Sequence, residues 1–471
     1  MANLSKKIKG IDYLFVAILL IAIILRFWKL ADYFQFGVDE EYQALFGWSI
    51  VKHFHVLWIG VSASNIGYYL GPGLVYLSAL LLWLNKDPII FGYFASFIGI
   101  ITALSLYYIA FKLYNKRVAT VSFVLYIFSP FAFYYDRKYW PLAVPLIALW
   151  LFYSLVKSFK NSGWLLVTAL LMGLSYHIHI SLWIFWPFIL FAFFYLALKK
   201  KLSLFKISAS ISIFVLTTLP LLVFDFIHNF DNLRLPLRLL TRKQQVTNHS
   251  INQLIEFFTV FKKIFLHPSF SNNLIDCVLV ILLIISLIWL SWRKEKSIRF
   301  LLSIIFLFFL GFILFPSPMQ EYYFVLPLPF IILIVAKILD RIKPFGYIVL
   351  ILFMVANLYG FIKQPVYSDY PNKIEIIKQV KKTVSNQSFY LEIDGNYLFN
   401  GGWRYLFQAY HLSPDQSSAD QIFGWIYLDE ISKERPKYKV TISRNNNLKF
   451  SSSVIKKFTS GAYTAYLIYN D

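Results

Sequence analysis

Cysteine is almost absent from this sequence, with Cys277 the single example among 471 residues. No intramolecular disulfide can therefore form, and cysteine usage does not indicate a redox compartment. Charged residues are also scarce: they make up 15% of the chain, against 58% hydrophobic residues and a mean hydropathy of +0.61. A soluble domain carries about 25% charged residues. The shortage of charge predicts an α-helical polytopic membrane protein.

Acidic residues are the rarer charged class, with 24 Asp and Glu against 45 Lys and Arg, which gives a net charge of +21. Most of the positive excess lies in short loops between apolar segments. The preference of Lys and Arg for cytoplasmic loops explains this placement, so the charge does not indicate a nucleic-acid partner. The first apolar segment is too long for a signal-peptide core and has no small-residue cleavage site, so we interpret it as a membrane span.

A membrane-spanning helix needs about 20 apolar residues. Eleven stretches qualify, with ends uncertain by several residues: 12–30, 90–112, 118–135, 141–157, 163–177, 181–198, 207–227, 274–292, 299–315, 321–338 and 344–362. A twelfth stretch, residues 68–84, is ambiguous because it has only 17 residues and opens with Gly71-Pro72-Gly73. The number of crossings therefore depends on how this stretch is interpreted.

The distribution of basic residues decides the case. With a cytoplasmic N-terminus and no crossing by residues 68–84, the basic loops all lie in the cytoplasm: 112–117, 157–160, 199–206, 293–299 and 337–343. If residues 68–84 cross, every one of these loops moves outside, against the usual rule. We therefore predict about 11 spans plus one re-entrant or interfacial segment.

This topology divides the chain into two domains. Residues 1–363 form the membrane domain, with a first external loop at 31–89 that holds interfacial helices and a long external loop at 228–271. Residues 364–471 are less apolar and read as a small extracytoplasmic α/β domain. There we predict a helix over 371–385 and strands over 388–393, 437–443 and 462–469, without a nucleotide-binding glycine loop.

An acidic triplet, Asp39-Glu40-Glu41, follows the first span in this otherwise basic chain. We interpret Asp39 as a candidate general base and Glu40 as a member of the same catalytic set, because a carboxylate can accept the proton of a hydroxyl group. The other interpretation is a water-facing charge cluster at a helix N-terminus, where acidic side chains are commonly found. The residues alone leave both open.

Cations on the same predicted face complement these acids. Arg137, Lys138 and Arg242 are candidates for binding a phosphate group, because guanidinium groups bind phosphate oxygens in pairs and lysine supplies a point charge. The alternative is contact with lipid headgroups, in which case Arg137 and Lys138 extend from helix ends toward the membrane surface. Asp136 precedes these two in the same external turn.

Two histidines and a tyrosine complete the candidate set. His177 and His179 lie in a turn between spans, and we expect them to hydrogen-bond to substrate or backbone. Two histidines alone do not define a metal site, so no metal ligands are assigned, although the sequence leaves a requirement for a divalent cation open. Tyr322 is a candidate substrate contact, or else part of an interfacial aromatic belt.

These groups suit sugar transfer from a polyprenyl phosphate. That reaction needs a base for the acceptor hydroxyl, cations for the leaving phosphate and an apolar groove for the lipid tail. A single direct displacement would invert the anomeric centre. Two alternatives are a transporter or flippase for lipid-linked sugars, and a non-catalytic binding or scaffold protein. A transporter predicts charged residues at mid-membrane depth, and few are present.

Several short motifs in order carry a family resemblance: Asp39-Glu40, Leu70-Gly71-Pro72-Gly73-Leu74, the basic span end at 112–117, Arg137 to Pro141, the histidine turn, and Tyr322 to Pro327. In this order the chain resembles the GT-C superfamily of polyprenyl-phosphate-dependent glycosyltransferases, specifically the protein O-mannosyltransferases and the lipid A aminoarabinose transferases. The resemblance implies Asp39 as the base and Asp136 as an assisting acid. It also implies a polyprenyl-phosphate sugar donor, a protein, lipid or glycan acceptor, contact with membrane lipid, and a location in the plasma membrane of a cell envelope.

Overall fold

The structure is a computed structural model that describes residues 13–63, 67–235, 249–268, 295–314, 320–364, 369–385, 387–450 and 453–470. Two predictions lie outside these residues, namely the span at 274–292 and the phosphate contact assigned to Arg242. Only part of the predicted external loop at 228–271 is described.

Helices dominate the first part of the chain. Within the described residues they are α1 Tyr13–Phe27, α2 Leu30–Tyr33, α3 Val38–Lys52, α4 Gly73–Leu84, α5 Ile89–Leu113, α6 Lys116–Ile127, α7 Pro130–Tyr135, α8 Val144–Ser158, α9 Trp164–Ser175, α10 Trp186–Leu198, α11 Leu204–Ile227, α12 His249–Phe265, α13 Lys296–Leu314, α14 Leu328–Arg341 and α15 Phe345–Lys363. Short 3-10 helices, Ile180–Phe185 and Glu321–Val325, precede α10 and α14.

Ten of the eleven predicted apolar stretches coincide with these helices, which confirms a polytopic α-helical architecture. Five helical segments of the described chain are long and apolar enough to span a membrane: Ile89–Leu113, Ile180–Leu198, Leu204–Ile227, Lys296–Ile313 and Phe345–Lys363. The other described apolar helices are shorter, so the number of spans stays a prediction.

The predicted continuous stretch at 118–135 is divided into α6 and α7. The break falls at Ser129, which caps α7 by accepting a hydrogen bond from the Ala132 amide at 3.3 Å. Pro130 follows as the first helical residue. Proline has no N–H group and disfavours helical backbone in the residue before it, so a helix cannot continue through this point undisturbed. The turn after α7 carries residues 136–138.

Residues 68–84 do not form one long helix. Strand β2 (Tyr68–Tyr69) pairs with β1 (Ser62–Ala63), and α4 then runs for 12 residues. At 1.5 Å per residue, α4 is about 18 Å long and too short for a hydrocarbon core of about 30 Å. It packs instead along α3, where a Cβ on Gly47 would lie 2.8 Å from the Ala79 nitrogen. This close packing supports the predicted interfacial placement.

The C-terminal region begins with α16 (Asp369–Val384) and contains a five-stranded sheet. The strands are β3 Phe389–Ile393, β4 Gln416–Ser417, β5 Tyr438–Ser443, β6 Val454–Ser460 and β7 Tyr463–Tyr469, in the order β4-β3-β5-β7-β6. β3 is parallel to β4 and β5, whereas β7 is antiparallel to β5 and β6. The predicted helix and three strands are confirmed. β4 and β6 were missed because one has two residues and the other is mostly exposed.

The two regions share a hydrophobic core. Phe34, Phe36 and Leu45 around α3 pack in one cluster with Trp403 and Tyr405 of the C-terminal region. The C-terminal region is therefore fixed against the segment that carries the acidic triplet.

Candidate functional site

Helix α3 presents its three carboxylates in different directions, because a helix turns by about 100° per residue. The Glu40 carboxylate turns back to the helix start, where Oε2 accepts a hydrogen bond from the Gly37 amide at 3.1 Å. Glu40 and Glu41 are buried, whereas the Asp39 side chain keeps access to solvent. Of the three, Asp39 is thus the carboxylate that a substrate can reach.

Asp39 lines a cavity of about 60 Å³, together with Tyr42, Gln43, Val61, Ser62, Trp140, His179, Ile180, Tyr322 and Tyr323. Protein surrounds Asp39 on most sides although its side chain reaches the cavity. This burial raises the pKa of Asp39, and the positive charge of Lys138 opposes the shift. A carboxylate with a raised pKa is a stronger proton acceptor than an ordinary aspartate, which suits a general base.

Lys138 comes from the turn after α7 and carries the positive charge of this site. Burial lowers the pKa of Lys138, but Tyr134, Glu40 and Asp39 outweigh this effect, and the net pKa is raised. The ammonium group also lies 4.8 Å from the centre of the Tyr134 ring. Lys138 therefore stays protonated beside the carboxylates.

His179 and Tyr322 meet in the same cavity, with ring centres 5.7 Å apart. The His179 Nδ1 accepts a hydrogen bond from the Ser181 amide at 3.1 Å, so the proton of the neutral ring belongs on Nε2. Burial lowers the pKa of His179 to about 4. The ring is consequently neutral at physiological pH and can donate or accept a hydrogen bond, but it does not supply charge.

Two residues of the cavity, Gln43 and Ser62, were missed by the sequence analysis. Both amide atoms of Gln43 and the hydroxyl of Ser62 are buried without a hydrogen-bond partner in the part of the chain that the structure describes. Buried polar groups are normally satisfied, so such groups in a cavity indicate contact with a ligand. Gln43 lies one helical turn after Asp39, and that spacing was the available signal.

A second, larger cavity of about 370 Å³ is formed in part by α7 and by Arg137 in the turn that follows it. It is lined by Tyr33, Pro130, Phe131, Phe133, Tyr134, Tyr135, Arg137, Lys263, His267, Pro268, Glu321, Phe361 and Gln364. Across the described ranges, the Tyr33 hydroxyl and the Nη1 of Arg137 are buried without a hydrogen-bond partner. Lys263 pairs with Glu321 at this cavity. Hydrogen-bond donors on an apolar wall fit an anionic group that carries a lipid chain.

The rest of the Arg137 guanidinium serves the fold. It donates hydrogen bonds to the backbone carbonyls of Leu25, Arg26 and Trp28, the last at 3.1 Å. It also lies 3.6 Å from the centre of the Phe133 ring. Arg137 therefore anchors the turn to the end of α1 and leaves one nitrogen for the larger cavity.

Asp136 faces away from Asp39. Its Oδ2 accepts a hydrogen bond from Arg26 Nε at 2.8 Å, and its Oδ1 accepts one from the Tyr126 hydroxyl at 2.9 Å. Arg26 is fully buried and Asp136 is almost so. The structure therefore does not bring Asp136 together with the other predicted acids, and this buried pair links α1 to α6 and the following turn.

His177 is held by backbone groups. Its Nδ1 accepts a hydrogen bond from the Gly73 amide at 3.1 Å, and its Nε2 lies 2.7 Å from the Thr217 carbonyl oxygen, to which it donates. Both ring nitrogens are used, so His177 connects α4 to α11. Of the predicted contacts, Asp39, His179 and Tyr322 line the small cavity, whereas His177 and Asp136 do not. Lys138 acts on Asp39 and Glu40 through its charge.

Glu41 connects α3 to the C-terminal region. Its carboxylate accepts hydrogen bonds from the Tyr397 hydroxyl at 2.7 Å, the Gly402 amide at 2.8 Å and the Tyr405 amide at 3.1 Å. Lys373 reinforces the junction by donating to the Phe36 carbonyl oxygen at 2.9 Å. No local pattern in the sequence indicates this role, because the partners lie more than 350 residues away.

Among the described residues, no three His, Cys, Asp or Glu side chains are grouped so that they could hold an ion.

No protein-family model and no curated protein sequence matches the chain. Solved structures of ArnT match it over nearly the whole length. ArnT from Cupriavidus metallidurans bound to undecaprenyl phosphate has a TM-score of 0.61 at 11% identity and covers 98% of this chain and 99% of its own.

ArnT in the apo state has a TM-score of 0.63 at 10% identity, with 97% of each chain covered. The chain shares the fold of ArnT. The predicted resemblance is therefore confirmed at the level of fold, and it extends through both regions of the molecule.

Proposed function

We propose that this chain is a membrane glycosyltransferase that moves a sugar from a polyprenyl-phosphate donor to an acceptor hydroxyl, with Asp39 as the general base. The observation that carries the proposal is the position of Asp39. It is a solvent-accessible carboxylate with a raised pKa, and the positive charge of Lys138 acts on it. It lines the small cavity together with Gln43 and Ser62, whose side chains have no hydrogen-bond partner among the described residues. The GT-C fold and the undecaprenyl phosphate bound to ArnT support the class of donor.

The small cavity is the proposed acceptor site. The acceptor hydroxyl would contact Asp39, with Gln43, His179 and Tyr322 holding the rest of the acceptor. As its oxygen attacks the anomeric carbon, Asp39 takes the proton. One bond to the sugar forms as the bond to the phosphate oxygen breaks, and the phosphate keeps the electron pair. Attack from the side opposite the phosphate inverts the anomeric centre.

The large cavity is the proposed site of the donor phosphate. Arg137 Nη1, Lys263 and the Tyr33 hydroxyl line this cavity and would bind phosphate oxygens. The positive charge of Lys138, the residue after Arg137, would balance the charge that develops on the leaving group. This assignment keeps Arg137 and Lys138 from the sequence analysis and adds two residues that it missed. Arg242 remains a proposed contact from the long loop.

Asp136 receives a different proposed role. Its carboxylate is occupied by Arg26 and Tyr126, so we assign it to positioning the turn that bears Lys138. Proton transfer is assigned to Asp39, and the negative charge of Glu40 offsets the positive charge of Lys138.

The proposed orientation follows the distribution of basic loops. The N-terminus lies in the cytoplasm, and the two cavities and the α/β domain lie outside the plasma membrane. Contacts among α3, the turn at 136–140, the histidine turn and the C-terminal region support a common face for these parts. The acceptor is a protein, lipid or glycan hydroxyl at that face, and the transferred sugar is a hexose or pentose unit.

The first experiment compares wild type and Asp39→Asn in lipid nanodiscs with a labelled polyprenyl-phosphate sugar and cell-envelope extract as the acceptor source. Loss of a general base lowers rates by about 10²–10⁴-fold. We expect donor consumption to fall within this range in Asp39→Asn, with donor binding unchanged. Asp429→Asn, which alters an exposed carboxylate of the C-terminal region, should retain the wild-type rate.

Equal consumption by wild type and Asp39→Asn would remove Asp39 from the reaction. In a parallel assay with proteoliposomes, movement of intact donor to the opposite leaflet, without transfer, would support a flippase instead.

A further inference from the structure

A cavity of about 340 Å³ lies in the C-terminal region, apart from the two cavities described above. Its lining residues are Ile393, Asp394, Asn400, Trp403, Ile442, Ser443, Arg444, Asn445 and Tyr463. We name it the sheet-end cavity, because it opens where the parallel strands β3 and β5 end. Ligand sites in sheets with parallel strands commonly lie at the carboxyl ends of the strands, and this volume is in the usual range for a small ligand.

The polar side chains at this end are ordered by one another. Asp394 Oδ2 accepts a hydrogen bond from the Ser443 hydroxyl at 2.6 Å, and the Ser443 hydroxyl accepts one from the backbone N–H of Asn445 at 2.8 Å. The side-chain oxygen of Asn445 accepts a hydrogen bond from the Asn447 backbone N–H at 3.0 Å. Asn400 donates to the Asp394 carbonyl oxygen at 3.1 Å. A carboxylate has about four acceptor positions, and Ser443 occupies one of those on Asp394. The cavity thus offers fixed carboxylate and amide groups to a ligand.

The charges around the cavity balance. Arg444 lies 3.9 Å from Asp369 and donates a hydrogen bond to the Tyr463 hydroxyl at 3.1 Å. Lys373 lies 4.0 Å from the same Asp369. With Asp394, this gives two positive and two negative groups. A phosphate or nucleotide site has an excess of positive charge, so the balance favours a neutral ligand.

Two buried aromatic rings form the base of the cavity. Trp403 and Tyr463 lie edge to face, with ring centres 5.0 Å apart, and Lys373 and Arg444 lie over these rings. An apolar base with planar amide, carboxylate and guanidinium groups at the rim suits a sugar ring, which has C–H groups on its face and hydroxyl groups at its edge. We propose that the sheet-end cavity binds a neutral sugar unit of a glycan.

The position of the sheet-end cavity connects sugar binding to the proposed transfer reaction. Asn400 and Trp403 line the cavity, while Gly402 between them donates a hydrogen bond to Glu41 of α3. One short loop therefore contacts both the sheet-end cavity and the helix that carries Asp39. A glycan held there lies close to the proposed acceptor site, and this link to transfer rests on the proposed function, whereas the binding itself does not.

The test measures sugar binding to the full chain in nanodiscs by ligand-observed NMR. Glucose, galactose, mannose, arabinose and N-acetylglucosamine are each titrated to about 10 mM, which detects dissociation constants in the millimolar range. We expect saturable binding of at least one sugar and weakening by about tenfold in Asp394→Ala and in Asn445→Ala, because each removes a hydrogen-bonding group. Asn445 is exposed, so its variant tests the site even if Asp394→Ala fails to fold.

Glu434→Gln alters an exposed carboxylate outside the cavity and should bind as wild type. Asp39→Asn should also keep the binding, which separates this site from the proposed acceptor cavity. The proposal is overturned if no sugar binds, if the two cavity variants bind as wild type, or if inorganic phosphate competes with the sugar.

Discussion

The three neighbouring acids Asp39, Glu40 and Glu41 have different roles because their surroundings differ. Asp39 could be singled out from the sequence, because an acidic triplet beside a span is unusual in a chain of net charge +21. The separate roles of Glu40 and Glu41 could not be predicted from the sequence. Glu40 accepts a hydrogen bond from the Gly37 amide, and Glu41 accepts one from the Tyr397 hydroxyl, 356 positions along the chain. Only folding brings such a distant partner close.

At the same scale, Lys138 should control the pH range of the reaction. The positive charge of Lys138 lowers the pKa of Asp39 against the effect of burial, so removing the charge in Lys138→Met should raise that pKa further. Because Asp39 acts in its ionised form, activity is lost as pH falls through this pKa. We expect the acidic limb of the kcat/KM profile to move to higher pH in Lys138→Met.

The measurement is donor consumption across the pH range for wild type and variant, with Lys138→Arg as the control that keeps the charge. An acidic limb at the same pH in Lys138→Met would show that another group controls it.

Among the elements, the helices were predictable and their connections were not. Apolar length located ten helical stretches, while Pro130 divided one of them into α6 and α7. The turn after α7 was predicted as a row of functional charges, Asp136, Arg137 and Lys138. Their different orientations depend on Arg26 at the end of α1, and a buried ion pair across 110 positions leaves no local pattern in the sequence.

The Arg26–Asp136 pair gives a prediction for these elements. Arg26→Met leaves a buried carboxylate without its cation, which costs about 3–5 kcal/mol. We expect a lower melting temperature in detergent. Because replacing both charges with apolar groups is often neutral, the double variant Arg26→Met, Asp136→Leu should recover much of the stability.

The double variant also separates the two roles of Asp136. Sugar transfer retained in a folded double variant supports the positioning role. A folded but inactive double variant would instead indicate that Asp136 takes part in catalysis.

For the whole molecule, composition located the start of the polar region after residue 363, and the strand pattern indicated its α/β class. The sequence did not show that this region shares a core with α3 and α4. Residues such as Trp403 and Tyr405 have the composition of any domain interior, and their partners Phe34 and Phe36 read as loop residues beside a span. The packing of the C-terminal region against α3 and α4 depends on surfaces that exist only in the folded chain.

Glu41 should therefore be required for the two regions to behave as one. Glu41→Gln places an amide against three hydrogen-bond donors, and we expect a loss of about 2–4 kcal/mol in stability, since bonds to a charged acceptor are strong and their donors are buried. The measurement is thermal unfolding with limited proteolysis of the C-terminal region. Glu375→Gln, at an exposed position, should leave both unchanged. Unaltered unfolding in Glu41→Gln would contradict the docking role.

The junction at Glu41 has a consequence for genetics. The loop around Gly402 holds the helix that bears Asp39 in position through its hydrogen bond to Glu41. Random mutagenesis followed by selection for loss of function should therefore recover inactivating alleles far from both membrane cavities. Such alleles should cluster at residues 397–405, and suppressors of them should arise in the first external loop rather than in the sheet.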